Sequence, residues 1–72
     1  MIVRVPMRVG NYWVSEVGIR ETMGGHYLVF ADVNGKRMTL VTNFAIFDAA
    51  LAKVEWLLSD GNLLHAIDFR KE

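Results

Sequence analysis

Asn34-Gly35 stands between two runs rich in β-branched and aromatic residues, and the whole stretch His26–Thr42, HYLVFADVNGKRMTLVT, reads as a β-hairpin. A type I′ turn needs positive φ at both central residues, which asparagine and glycine accept at the lowest cost. A two-residue loop also sets the register. Val33 should face Lys36, Asp32 Arg37, Ala31 Met38, Phe30 Thr39, Val29 Leu40 and Leu28 Val41. Asp32 and Arg37 then form an opposed charge pair that pins this register. Alternation places Val29, Ala31, Met38 and Leu40 on one face, and Leu28, Phe30 and Val41 on the other. Strands buried on both sides read this way. Each side of the hairpin therefore requires cover.

The rest of the chain is read for what could supply it. Ile2 to Val9 alternates, with Val3, Val5, Met7 and Val9 against Arg4, Pro6 and Arg8. That is a half-buried strand, and Pro6, which cannot donate to a ladder, places it at a sheet edge. Gly10-Asn11 is a second tight turn. Tyr12 to Ile19 follows as a less regular strand, which Gly18 interrupts as a candidate bulge. Thr22-Met23-Gly24-Gly25 makes the next break. Three successive hairpins give a four-stranded antiparallel meander.

The hydrophobic period then lengthens from two to about 3.6. Thr42 or Asn43 can cap a helix over about 44–60, with Phe47, Ala50, Leu51, Val54, Leu57 and Leu58 on its apolar face and Gly61 just beyond its end. Leu63 to Arg70 alternates again and reads as a fifth strand, with a short second helix as the alternative. The expected fold is α+β: a four-stranded antiparallel meander, one long helix packed on it, and a final strand (ββββαβ), in a single domain over residues 1–72. One helix covers one sheet face. The other is left for a partner.

Composition supports that inference. The chain has 72 residues, of which 53% are hydrophobic. This exceeds the ordinary share of about 45–50%, in a domain too small to hide the excess. Association with another chain is the economical outlet, and a homodimer is expected. Formal charge is zero, so bulk attraction to nucleic acid or anionic membrane is not indicated. Residues 1–43 carry five Lys/Arg against three Asp/Glu, and residues 44–72 carry three against five. There is no cysteine, hence no thiolate metal site or disulfide, and no apolar run of membrane-span or signal-peptide length. A cytoplasmic protein without metal or cofactor is expected.

Chemistry-bearing patterns are scarce. His26 sits beside the Gly24-Gly25 turn and His65 in the last segment, in no metal-ligand spacing. Ser15 and Ser59 lie outside any nucleophile motif. The carboxylate pairs on offer are Glu16 with Glu21, and Asp48 with Glu55 on the polar side of the helix. Gly24-Gly25 lacks the lysine and the spacing of a phosphate loop. The sequence reads as a non-enzyme.

Two binding surfaces are legible. Ala45, Ala49, Ala52 and Trp56 form a row beside the main helical stripe, where small residues allow close approach of another element. With Val29, Met38 and Leu40 of the hairpin, they form the candidate protein interface. The alternative is a nucleic-acid face. The turn at Gly10-Asn11 sets Arg8 opposite Trp13, and Arg4, Arg8, Trp13 and Ser15 share a side of the sheet. Arginine beside an exposed aromatic is the chemistry of single-strand stacking platforms. The order of elements, a meander followed by a helix, resembles that of the dimeric single-stranded-DNA-binding coactivators. The likeness lies in layout and in no shared motif. The leading expectation is a small regulator, inhibitor or adaptor that works through protein–protein contacts.

Overall fold

A computed structural model describes residues 1–71, with nothing stated of Glu72 or of the Lys71 side chain. The order is β1 (Ile2–Val9), β2 (Tyr12–Glu21), β3 (Tyr27–Val33), β4 (Lys36–Phe44), α1 (Phe47–Leu57) and α2 (Asn62–Lys71). The four strands form one antiparallel sheet in the order β1-β2-β3-β4, as expected. Asn34 (φ 51°) and Gly35 (φ 83°) turn the central hairpin in the left-handed region. Val33–Lys36, Asp32–Arg37, Ala31–Met38 and Phe30–Thr39 pair as the turn dictates.

Beyond Thr39 the expected register fails. Val29 pairs with Val41 and Tyr27 with Phe44, so Leu40 and then one residue between Val41 and Phe44 are extra on β4. A bulge sets two consecutive residues against one and lets both address one side. Leu40 and Val41 accordingly both pack on the main core, and Val41 does not face the opposite side as strict alternation required. The second irregularity coincides with Asn43 at φ 67°, a conformation asparagine tolerates. A further bulge on β2 leaves Ser15 unopposed between Val14–Val33 and Glu16–Asp32. It brings Val14 and Val17, three apart, onto the same core. Gly18 is not the bulge. It lies in register with Ile2 on one side and Phe30 on the other.

The single long helix and the fifth strand are both corrected. β4 continues to Phe44, so Thr42 and Asn43 belong to a strand and cap nothing. α1 starts after Ile46, which makes no side-chain cap, and ends at Leu57. The Trp56 carbonyl accepts from the Ser59 amide (3.2 Å), the Ser59 hydroxyl (2.8 Å) and the Asn62 side-chain amide (2.8 Å). Those bonds close α1 and turn the chain, with Asp60 (φ 43°) and Gly61 (φ 74°) in the reversal. Gly61 therefore leads into α2 and is not the residue that ends α1. Residues 63–70 are helical because Leu63 and Ile67, four apart, supply a helical contact face, and both are buried.

Both helices lie on one side of the sheet. Ala50, Val54 and Leu57 of α1 and Leu63 and Ile67 of α2 pack on Val14, Val17, Ile19, Val29, Ala31, Val33 and Leu40. α2 is also tied by polar contacts. The Tyr12 hydroxyl donates to the Asp68 carboxylate at 2.7 Å, and the Arg70 Nε donates to the Thr39 carbonyl at 3.0 Å.

Candidate functional site: an aromatic groove on the helical side

The sheet face without helices is the one for which the sequence supplies no covering element. Two rungs cross all four strands there: Ile2–Gly18–Phe30–Thr39 and Arg4–Glu16–Asp32–Arg37. In the apolar rung, Phe30 is only 2% exposed although no helix lies over it. Gly18 makes this possible. A Cβ at that position would lie 2.6 Å from the Phe30 ring and 2.5 Å from the Met1 carbonyl oxygen, so the ring occupies the space that any other residue would fill. The Arg37 guanidinium then sits 4.0 Å above the Phe30 ring centroid.

The charged rung holds that guanidinium in place. Arg37 binds Asp32 through two bonds, 2.8 and 3.2 Å, and reaches Glu16 at 3.7 Å. Arg4 approaches Glu16 from the other side at 3.7 Å. Arg37 thus touches both members of a directly opposed carboxylate pair and offsets their repulsion. The Arg37 hydrogen bond holds the Asp32 carboxyl below its ordinary range, and the same contact raises the guanidinium pKa. The face seals itself with a flat phenyl ring and a cation lid. A second chain is not needed to bury the apolar side chains of the hairpin.

The expected site residues distribute accordingly. Val29 (0% exposed) and Leu40 lie in the core, and Met38 packs against it, because the helices chose their side of the sheet. Of the three, Leu40 alone lines the groove described below, as part of its floor. Ala45, Ala49, Ala52 and Trp56 are exposed, with Ala45 preceding α1 rather than lying in it. On the other side of the sheet Arg8 pairs with Trp13 across the ladder, and both are exposed. Asn34 steadies that spot: its side-chain oxygen accepts from the Trp13 amide at 2.8 Å, and its own amide donates to the Trp13 carbonyl at 2.8 Å. Arg4, on the same side and largely exposed, reaches Glu16 at 3.7 Å, while Arg8 and Trp13 are the directly paired members of this face.

Of the residues considered for chemistry, Ser59 closes α1, and half-buried Ser15 is the extra residue of the β2 bulge. Glu16 serves the charged rung, while Glu21 lies exposed at the end of β2. Asp48 and Glu55 are exposed on α1, and His26 is exposed on the Thr22–Gly25 turn. Among the described residues, no three His, Cys, Asp or Glu side chains are grouped as a metal site.

A concavity that the sequence did not announce lies between β4, α1 and α2. Leu40 and Val41 form its floor, Lys53 and Trp56 one wall, and His65, Ala66 and Phe69 the other, around about 460 Å³. Three local features build it. The bulge at Leu40 turns two consecutive apolar residues to the helical side, the Trp56 carbonyl fixes the junction of the helices, and Arg70 holds the end of α2 against β4. Trp56 is 49% exposed and Phe69 75%, and the Lys53 ammonium lies 4.0 Å over the indole. Trp56 belonged to the expected row. Phe69 and His65 did not, because a strand reading of 63–70 separates them from α1.

No family model, curated protein or solved structure matches this chain. No helix among the described residues is long and apolar enough to cross a membrane.

Proposed function

We propose that this protein is a small non-enzymatic interaction module, serving as a regulator, inhibitor or adaptor, and that it holds another protein chain in the groove between β4, α1 and α2. The observation that carries this reading is the exposure of Trp56 and Phe69 at a concave, apolar-floored site. Large aromatic side chains in such settings are the usual anchors of protein contacts. Docking on a face is favoured over strand addition, because β1 and β4 both carry bulges that interrupt an edge. Self-association in the cytoplasm remains part of the proposal, supported by the apolar composition and by further exposed apolar side chains at Ile46, Phe47 and Leu58.

The test is a displayed random-peptide library selected against the native protein and against the Trp56→Ala/Phe69→Ala variant. Peptides that enrich on the native protein and not on the variant support the reading. Enrichment indifferent to both substitutions defeats it. For the self-association arm, light scattering across about 10–500 μM, around the micromolar range of modest interfaces, should show a dimer. A monomer throughout removes that arm.

Single-stranded nucleic acid is the second reading, and the facing, exposed pair Arg8 and Trp13 supports it. It requires a labelled oligothymidylate to bind in low salt and to lose affinity on Trp13→Ala, since stacking contributes about 1–3 kcal/mol per base.

A further inference from the structure

The groove's charge identifies the kind of chain it takes. Of its seven lining residues Lys53 is a fixed cation, His65 offers imidazole N–H to an acceptor, and none is acidic. Arg70 stands beside its β4 floor through the Thr39 carbonyl. Yet the segment from residue 44 onward has more acidic than basic residues. Its described carboxylates, Asp48, Glu55, Asp60 and Asp68, lie outside the lining of the groove. Glu55 lies about 160° around the α1 axis from Lys53 by helix geometry. Asp68 is engaged by Tyr12 of β2, two strands removed from β4. Asp60 is in the turn between the helices. A net-acidic layer thus presents a basic, aromatic groove.

Resting on the interaction reading above, we infer that the occupant is an acidic amphipathic segment of a different protein, with its bulky apolar side chains between Trp56 and Phe69 and its carboxylates against Lys53, His65 and Arg70. The same charge argues against a second copy seated groove to groove, which would bring Lys53 and Arg70 against their equivalents in a symmetric interface. It argues less for a single-stranded nucleic acid. Of the two fixed cations, Lys53 is stacked on Trp56 and Arg70 is bonded to a backbone carbonyl, which leaves little to track a phosphate chain.

The probe is a pair of fluorescein-labelled peptides of about 15 residues, long enough to populate a helix. Both carry Leu and Phe on one helical face. One has Glu at every other position and the other has Lys. Fluorescence anisotropy at about 50 mM salt, where exposed charges act at range, should show the Glu peptide binding about ten-fold more tightly than the Lys peptide, a difference of about 1.4 kcal/mol. Trp56→Ala/Phe69→Ala should abolish binding of both, and Lys53→Glu should erase or invert the preference, with circular dichroism confirming that each variant is folded. Equal affinity for the two peptides, lost in the aromatic variant, overturns the acidic partner and leaves the groove as an interface. Binding of neither peptide up to about 1 mM, or binding untouched by the aromatic variant, overturns both. A concentration-dependent dimer abolished by Lys53→Glu would assign the groove to a second copy, and displacement of the Glu peptide by oligothymidylate would assign it to nucleic acid. Either overturns the inference.

Discussion

The two faces of the sheet are closed by opposite means. On the helical side, aliphatic side chains from two helices interlock with three strands, and closure is dry and distributed. On the open side a single phenyl ring lies over a glycine, and a single guanidinium held by two carboxylates lies over the ring. The comparison teaches where spare surface arises. At its centre the thinly covered face is closed by internally matched rungs, and its exposed apolar side chains, Ile2 and Trp13, lie toward the β1 edge. The thickly covered face carries the groove, because two helices joined by a tight turn leave a cleft above β4. Apolar residues without a lid in sequence are therefore a poor guide to an interface.

The largest effects should test whether the two closures are of equal weight. Phe30→Ala should cost about 3–5 kcal/mol in urea unfolding and Leu57→Ala about 2–5 kcal/mol, the range for large buried side chains. A cost under about 1 kcal/mol for Phe30→Ala would show that the ring is only loosely covered. Phe69→Ala should change stability by no more than about 0.5 kcal/mol, as at other exposed positions. Gly18→Ala comes next. The added methyl meets a backbone oxygen as well as the ring, so overpacking should cost about 1–3 kcal/mol. A neutral result would mean that the ring does not rest there.

Smaller effects separate the faces by pH. Asp32 has its folded pKa lowered by the Arg37 hydrogen bond. The stability it adds is fully present above the ordinary carboxylate value of about 4 and is lost as pH falls through the folded value. The gap between native protein and Asp32→Asn should be constant above about pH 5 and shrink in acid. Tyr12 runs the other way, since its hydrogen bond to Asp68, together with burial and the nearby negative charge, raises its pKa. Its contribution is present below about pH 10 and is lost as pH rises through the folded value, so the Tyr12→Phe gap should shrink in alkali. Gaps that close at the wrong end of the scale would refute these assignments. Arg37→Met removes the exposed guanidinium but keeps an apolar side chain of similar reach, and should lower the unfolding midpoint by less than Gly18→Ala does.

Much of the sheet was legible because Asn34-Gly35 specifies its turn chemically, and the register holds for the four pairs nearest it. It was lost at Leu40, where a bulge leaves no local signature. The face of Val41 inverted with it, and the second irregularity returned Phe44 to the core side. Residues 63–70 misled for a related reason. Leu63 and Ile67 satisfy the period of two and the spacing of four alike, and the choice is made by packing on α1 and β4. The charged rung was half visible as Asp32–Arg37. Glu16 joins it only through the bulged β2–β3 register, and Arg4 only through the β1–β2 register. The groove depends on the bulge, the helix junction and α2 together, so of its aromatic pair only Trp56 could be anticipated.

The two tryptophans stand on opposite sides of the molecule, Trp13 on the open face and Trp56 in the groove, and both are exposed. Incorporation of 5-fluorotryptophan gives each side its own fluorine resonance. On titration with the acidic peptide, or with any partner chain the protein selects, the Trp56 resonance should shift to saturation while Trp13 stays still. Movement of Trp13 with Trp56 silent would place the interaction on the self-sealed face and contradict the account.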